Sequence, residues 1–334
     1  MSVLSKTAGG EEIRATPRVN WRQPILAAVI GVALITPTFI GLNWLGTDYA
    51  YLAAYTVLQF VVLATAWNIL GGYAGYVNFG SAGFFAIGVY TSVIVHQTIE
   101  LPILAIVPLA AAAAGLVGFA TGYLTLRLRG VFFSIATLAL AIVLQTLIVN
   151  WPWVGGARGV YVLHPQSVPV FGSYARYLFA VMLGLAILSV LIARAVENSW
   201  LGRGLAAIRD DETAAECSGI PSLRLKLIAT TLSGALMGVA GAPFPYFITY
   251  VDPGTAFSLS IAINTIAMPL IGGTTTWAGP VLGALLIGGL QQYVTVTISS
   301  AANLLVVGVL LVVFIIVAPN GIIGLVQGIR ERRR

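Results

Sequence analysis

Residues 49–99 read YAYLAAYTVLQFVVLATAWNILGGYAGYVNFGSAGFFAIGVYTSVIVHQTI, without one Asp, Glu, Lys or Arg. A helix needs about 20 apolar residues to cross the hydrocarbon of a bilayer. This run therefore holds two crossings, separated by the glycines between Gly71 and Gly80. The charge-free runs 23–47, 101–126, 130–157 and 227–251 each fit one more helix, 177–193 supplies another, and 253–329 fits three. The pattern predicts ten spans, at about 24–42, 50–70, 79–96, 101–126, 131–149, 177–196, 226–246, 259–272, 278–298 and 302–318. Barrel strands alternate polar and apolar residues, whereas these runs are apolar on every side. The expected fold class is an all-α integral membrane protein of about ten transmembrane helices.

Composition agrees. Of 334 residues, 58% are hydrophobic and 8% are charged, against about 25% charged in a soluble domain. Residues 1–22 are polar and precede an apolar run long enough to stay in the membrane, so they read as a cytoplasmic arm and not a cleavable signal. Residues 23–325 form the expected permeation domain, and 326–334 a basic cytoplasmic tail. The lone Cys217 has no partner for an intrachain disulfide.

The net charge of +6 reads as the positive-inside rule and not as a nucleic-acid surface. With the N-terminus inside, every Lys and Arg except Arg158 and Arg176 falls inside or at an inner helix end. Asp48, Glu100 and Asp252 fall at outer ends. An even number of spans keeps the Arg-rich tail inside as well. The longest external segment, 150–176, carries Trp151, Trp153, Tyr161 and Tyr174. These are expected to form an interfacial belt, with docking of a soluble partner as the alternative.

Absences narrow the function. Ion-coupled carriers place acids, His or Arg inside their helices, and no charged residue lies near the middle of a predicted span. His96 and His164 lack the companions that a metal site requires. There is no G-x-x-x-x-G-K-[ST] phosphate loop, and no nucleophile–base constellation for an intramembrane enzyme. What remains is a passive channel or a subunit driven by another chain.

The charged island between the termini is 197–225, ENSWLGRGLAAIRDDETAAECSGIPSLRL. Ala206, Ala207, Ile208, Ala214 and Ala215 favour helix, Asp210 or Asp211 can cap a second short helix, and Gly219 before Pro221 stops it. A short helix over about 211–218 is expected on the inner surface, either docked in a partner's groove or simply solvated. Within 71–80, the glycines Gly71, Gly72, Gly75 and Gly80 break the helical pattern. Irregular backbone at membrane depth is tolerated inside protein or beside a wet cavity. Ser81 or Asn78 is expected to cap the helix that follows, whose N-terminal dipole would favour a carboxylate. The neutral polar residues Asn68, Asn78, Ser81, Gln145, Asn264 and Thr265 are candidates for a substrate path, or else for hydrogen bonds between helices. The G-x-x-x-G pairs Gly118/Gly122, Gly234/Gly238 and Gly279/Gly283 are expected to pack helices.

Three stretches carry a resemblance: 202–220 in the charged island, WNILGGYAGYVNFGSAGFFAIGVYT at 67–91, and IGGTTTWAGPVLGALLI at 271–287, with APNGIIG at 318–324. They resemble the branched-chain amino-acid ABC transporter permeases, the LivH/LivM family, and the M type more than the H type. One family glycine is replaced, by Thr275. The resemblance implies a type II importer fold in the bacterial inner membrane, pairing with a second, H-type permease. It implies two ATPase subunits that bind ATP and Mg themselves, so that this chain holds no cofactor, and an external substrate-binding protein. It implies that Arg209, Asp210, Asp211, Glu212, Ala215 and Gly219 form the contact with the ATPase. Branched-chain or related amino acids are the implied cargo; urea, amides and small aromatic acids compete within the same class.

Overall fold

The computed structural model describes residues 48–99, 101–128, 130–163 and 172–297, together with Leu305, Gly308, Val309, Val312 and 321–324. The expected arm 1–22, the span 24–42, most of the span 302–318 and the tail 326–334 lie outside the described residues. The long helices are α1 (Asp48–Gly71), α2 (Ser81–Ile99), α3 (Ile103–Thr125), α4 (Val131–Val149) and α5 (Tyr174–Asn198). Two short ones follow, α6 (Trp200–Asp210) and α7 (Glu212–Cys217). Then come α8 (Ser222–Gly241), α9 (Phe244–Ile248), α10 (Pro253–Ala256), α11 (Leu259–Gly272) and α12 (Ala278–Thr297). Among the described residues, seven helical stretches are long and apolar enough to cross a membrane.

The span expected at 226–246 falls within the spanning stretch Ser222–Ile248. Its helix breaks after Gly241, and α9 starts again behind Pro243, because proline lacks the N–H that continues a helix. In the expected external segment, β1 (Val160–Tyr161) pairs antiparallel with β2 (Tyr250–Val251), Val160 opposite Val251. That ribbon lies at one end of the bundle, the end expected outside. At the other end lie residues 72–80, 126–128, Gly130, α6, α7 and 273–277, with Arg127, Arg194, Arg203, Arg209, Arg224 and Lys226.

α8 sits at the centre, against α1, α2 and α3. Lipid tails are as apolar as leucine, so helices in a bilayer associate through close packing and not through hydrophobic exclusion. The sequence supplies the small residues this needs. A Cβ on Gly234 would lie 3.1 Å from the Ala114 carbonyl oxygen of α3, and one on Gly118 3.0 Å from that of Thr230. On its other side α8 meets α2, where a Cβ on Gly241 would strike the Phe85 carbonyl and one on Gly88 the Gly238 carbonyl. Ser92 Oγ then donates to the Ala242 carbonyl at 2.7 Å. Gly279 and Gly283 of α12 press in the same way on Gly273 and Met268. All three G-x-x-x-G pairs therefore lie in tight helix contacts.

α4 is the exception. Only 22% of its spanning stretch is buried within the chain, and Val131, Phe132, Ile135, Ile142, Val143 and Leu147 are exposed. Gly238→Val is expected to lower stability by about 1–3 kcal/mol through overpacking, read as a lower Tm in detergent. Gly184→Ala in α5, whose new methyl meets nothing within 4 Å, leaves Tm unchanged or raises it.

Candidate functional site

The charged island folds as two short helices, as its helix formers and caps suggest. Ser199 caps α6, its Oγ accepting from Leu201 N at 3.1 Å and Gly202 N at 3.4 Å. Leu201, Leu205 and Ile208 recur at helical spacing and are buried, while Arg203 and Asp210 face out. The chain then extends at Asp211, whose Oδ1 accepts from Thr213 N at 2.8 Å and Ala214 N at 3.0 Å. Asp211, and not Asp210, is thus the cap of α7. Gly219 ends α7 at φ +83. Its N–H donates to the Glu216 carbonyl and that of Ile220 to the Ala215 carbonyl, both at 3.0 Å, the paired closure that favours glycine at this position. Of α7, Ala215 is buried, while Thr213, Ala214, Glu216 and Cys217 are exposed.

The connector 72–80 grips these helices from inside. Arg209 Nη1 donates to the Gly72 carbonyl at 3.3 Å. Gly75 holds φ +74, a conformation that side chains resist, and a Cβ there would stand 3.0 Å from Arg209 Cγ. The Tyr76 hydroxyl donates to Glu212 Oε2 at 2.6 Å and accepts from Lys226 Nζ at 3.0 Å. Lys226 also pairs with Glu212 Oε1 at 2.6 Å, the two side chains being 3% and 14% exposed. The Glu212 carboxylate therefore turns inward. Asp210, 75% exposed, stays at the surface. A cleft of about 530 Å³ opens beside this cluster, between the connector, Val131 and Ser134 of α4, and Arg209 of α6.

The connector's own backbone groups find partners in the surrounding helices. Trp67 Nε1 donates to the Asn78 carbonyl at 2.8 Å, and Ser134 Oγ to the Val77 carbonyl at 2.8 Å. Phe79 N donates to Thr137 Oγ1 at 3.2 Å. The Tyr73 hydroxyl donates to Glu197 Oε2 at 3.2 Å. Burial, and then the negative charge of Glu197, push that phenol well above its usual range. Glu197 Oε2 also accepts from Trp277 N at 2.6 Å, and the Arg194 guanidinium lies over the Trp277 ring. Gly71, Gly72 and Gly80 serve close approach, to the Trp67 ring, the Thr274 carbonyl and the Thr137 carbonyl. Thr275, which replaces the family glycine, is exposed and so has room for its side chain.

The expected cap at Ser81 is not made. Gly80 supplies the carbonyl that opens α2, accepting from Gly83 N at 2.9 Å. Ser81 Oγ is buried without a hydrogen-bond partner among the described residues. Asn78 acts one step earlier, its Oδ1 accepting from Gly80 N at 2.7 Å.

The six path candidates fall in three places. Asn68, Asn78 and Ser81 are buried around the connector. Asn264 Oδ1 accepts from Gln291 Nε2 at 2.9 Å, tying α11 to α12, while Thr265 bonds to Ile261 of its own helix. Gln145 reaches the Pro253 carbonyl at 3.5 Å, toward the outer end. Sequence reasoning missed a second pocket, of about 220 Å³, lined by Thr56, Gln59 and Ser258 together with Phe85, Phe244 and Phe247. It also missed the cluster of Tyr76, Glu212 and Lys226. Its signal was a lysine near the start of an apolar helix, which needs a counter-charge.

Comparison with known proteins agrees with this architecture. The family described as "Branched-chain amino acid transport system / permease component" matches residues 49–317. The high-affinity branched-chain amino acid transport system permease protein LivM of Escherichia coli is 26% identical over 295 residues, 81% of this chain and 69% of that protein. The probable branched-chain amino acid transport permease protein LivH of Methanocaldococcus jannaschii is 26% identical, over 74% of this chain and 82% of that protein. The ribose import permease protein RbsC of Haemophilus influenzae is 24% identical, over 67% and 70%. Among solved structures, PsaBC from Streptococcus pneumoniae in complex with Fab aligns at a TM-score of 0.46 and 14% identity, covering 86% of this chain and 97% of that one.

Trp67→Phe keeps the buried ring and removes the N–H that the Asn78 carbonyl accepts. An unpaired buried acceptor costs about 1–3 kcal/mol, so Tm of the purified protein is expected to fall accordingly.

Proposed function

Because the chain belongs to the family of branched-chain amino acid transport system permease components, we propose that it is the membrane-spanning subunit of an ATP-driven importer for branched-chain or related amino acids. It is a multi-pass protein of the bacterial inner membrane. The observation that carries the reading is α7: a capped helix, exposed along most of its length at the basic end, and held from behind by the connector. A chain without a phosphate loop needs its energy from elsewhere, and a short exposed helix fits a groove on a soluble partner.

In this reading Asp210, Asp211 and the outer face of α7 meet the ATPase, and their charges set register more than affinity. Two ATPase subunits hold ATP and Mg, a second, H-type permease completes the path, and an external binding protein delivers the cargo. The chain is a transport subunit and not an enzyme. About ten helices, both termini in the cytoplasm and a type II importer fold complete the proposal. Its parts are an arm at 1–22, a permease domain at 23–325 and a tail at 326–334. The cargo reading draws on the 220 Å³ cavity, whose walls are mainly aromatic and aliphatic with a few neutral polar groups. An aliphatic side chain suits such a lining.

The test is reconstitution with the cognate permease, ATPase and binding protein, followed by uptake of labelled leucine. Uptake is expected only with ATP; transport by this chain alone, indifferent to ATP, refutes the importer reading. Gly219→Pro cannot hold φ +83. Together with Asp210→Arg it is expected to release the ATPase on copurification and abolish uptake. Normal assembly and uptake in both variants would show that α7 is not the contact.

A further inference from the structure

We infer that Tyr76 is the positioning residue that passes movement of the α6–α7 segment to α4, so that α4 is the helix displaced when the ATPase acts. The inference rests on the ATP-driven reading above. Its geometry is that one phenol joins three elements. The hydroxyl of Tyr76 donates to Glu212 in α7 and accepts from Lys226 in α8. Its ring packs edge-on against Phe133 of α4, with centroids 5.2 Å apart. Beside Tyr76 the connector is tied to α4 twice more, by Ser134 Oγ to the Val77 carbonyl and by Phe79 N to Thr137 Oγ1. Arg209 holds the same connector at its start, through the Gly72 carbonyl. A push on α7 therefore reaches α4 through the packed Tyr76 and Phe133 rings, through the half-buried bond of Phe79 N to Thr137, and through the exposed bond of Ser134 to Val77.

α4 is suited to move. It is the least buried of the spanning helices. It begins at Gly130, φ +56, where even an added Cβ would meet nothing within 4 Å. The 530 Å³ cleft between its first turn and α6 leaves room for displacement. By contrast α8, the other partner of Tyr76, is locked by its glycine contacts with α2 and α3. Lys226 thus anchors the joint on the fixed side, and Glu212 on the driven side.

The test uses the complete transporter in liposomes. Tyr76→Phe keeps the ring and removes the oxygen; Glu212→Gln keeps the shape and removes the charge. In both, the ATPase subunits are expected to copurify and hydrolyse ATP at near the parental rate. Uptake per ATP is expected to fall about tenfold, the weight of one charge-assisted hydrogen bond. The exchange Glu212→Lys with Lys226→Glu is expected to recover part of what either single change loses. A second readout does not depend on cargo. In a Cys217→Ser background, spin labels at Arg203→Cys in α6 and Ile135→Cys in α4 report the distance between the driven segment and α4. A non-hydrolysable ATP analogue is expected to leave that distance unchanged with Tyr76 present and to alter it in Tyr76→Phe. The inference is overturned if Tyr76→Phe keeps the parental uptake per ATP, if the label distance responds alike in both proteins, or if Glu212→Gln loses the ATPase subunits and so acts as a docking residue. A parental complex whose labels behave as expected but which moves no amino acid refutes the cargo reading and leaves the joint standing.

Discussion

A backbone N–H or C=O that the bilayer hides from water must find its partner within the protein, because an unsatisfied group there costs several kcal/mol. The long helices meet that demand by themselves. The connector 72–80 cannot, because it is not helical, and so it draws a donor or acceptor from nearly every element around it: Trp67, Ser134, Thr137, Glu197 and Arg209. A stretch that crosses the end of the bundle without regular structure is thereby tied to α1, α4, α5 and α6. Its glycines follow from the same demand, since each partner must come close to the backbone.

The ion pair of Lys226 and Glu212 follows the same logic at higher stakes. Removing one member of a buried pair strands the other charge, at about 3–5 kcal/mol, while an apolar replacement of both is often tolerated. Such a pair is weak evidence for stability. It makes better sense as a pivot, and here it joins α7 to α8 at one point, with Tyr76 bonded to both members. The same carboxylate would serve less well as a surface contact, since it faces the protein's own interior.

The bundle divides into a rigid and a loose part for reasons visible in its side chains. Where α8 meets α2 and α3, glycine and alanine let backbones touch, and dispersion over that close contact holds the helices. α4 presents Phe132, Ile135, Ile142 and Leu147 outward, and among the described residues most of its face lacks a partner. A permease that pairs with another subunit has a use for such a face. The connector joins the two parts and lies directly beneath the segment that a motor would grip.

Much of this was legible in order of local signals. The charge-free runs located the described spans to within a few residues, because apolar length is a property of the segment alone. The distribution of Lys and Arg grouped the segments expected inside, and the structure gathers the described parts of them, 71–78, 127–128, Gly130, 197–225 and 273–277, at one end of the bundle. Asp211 and Gly219 announced the ends of α7, since caps act within one turn. Ser81 misled, because capping preference does not say which carbonyl opens the helix. What sequence could not decide was contact between distant elements. Tyr76 lies 136 residues from Glu212 and 150 from Lys226, and no periodicity links them. Only the packing of α8 against its neighbours brings the three together, and so turns a lone lysine, a loop acid and a tyrosine among glycines into one joint.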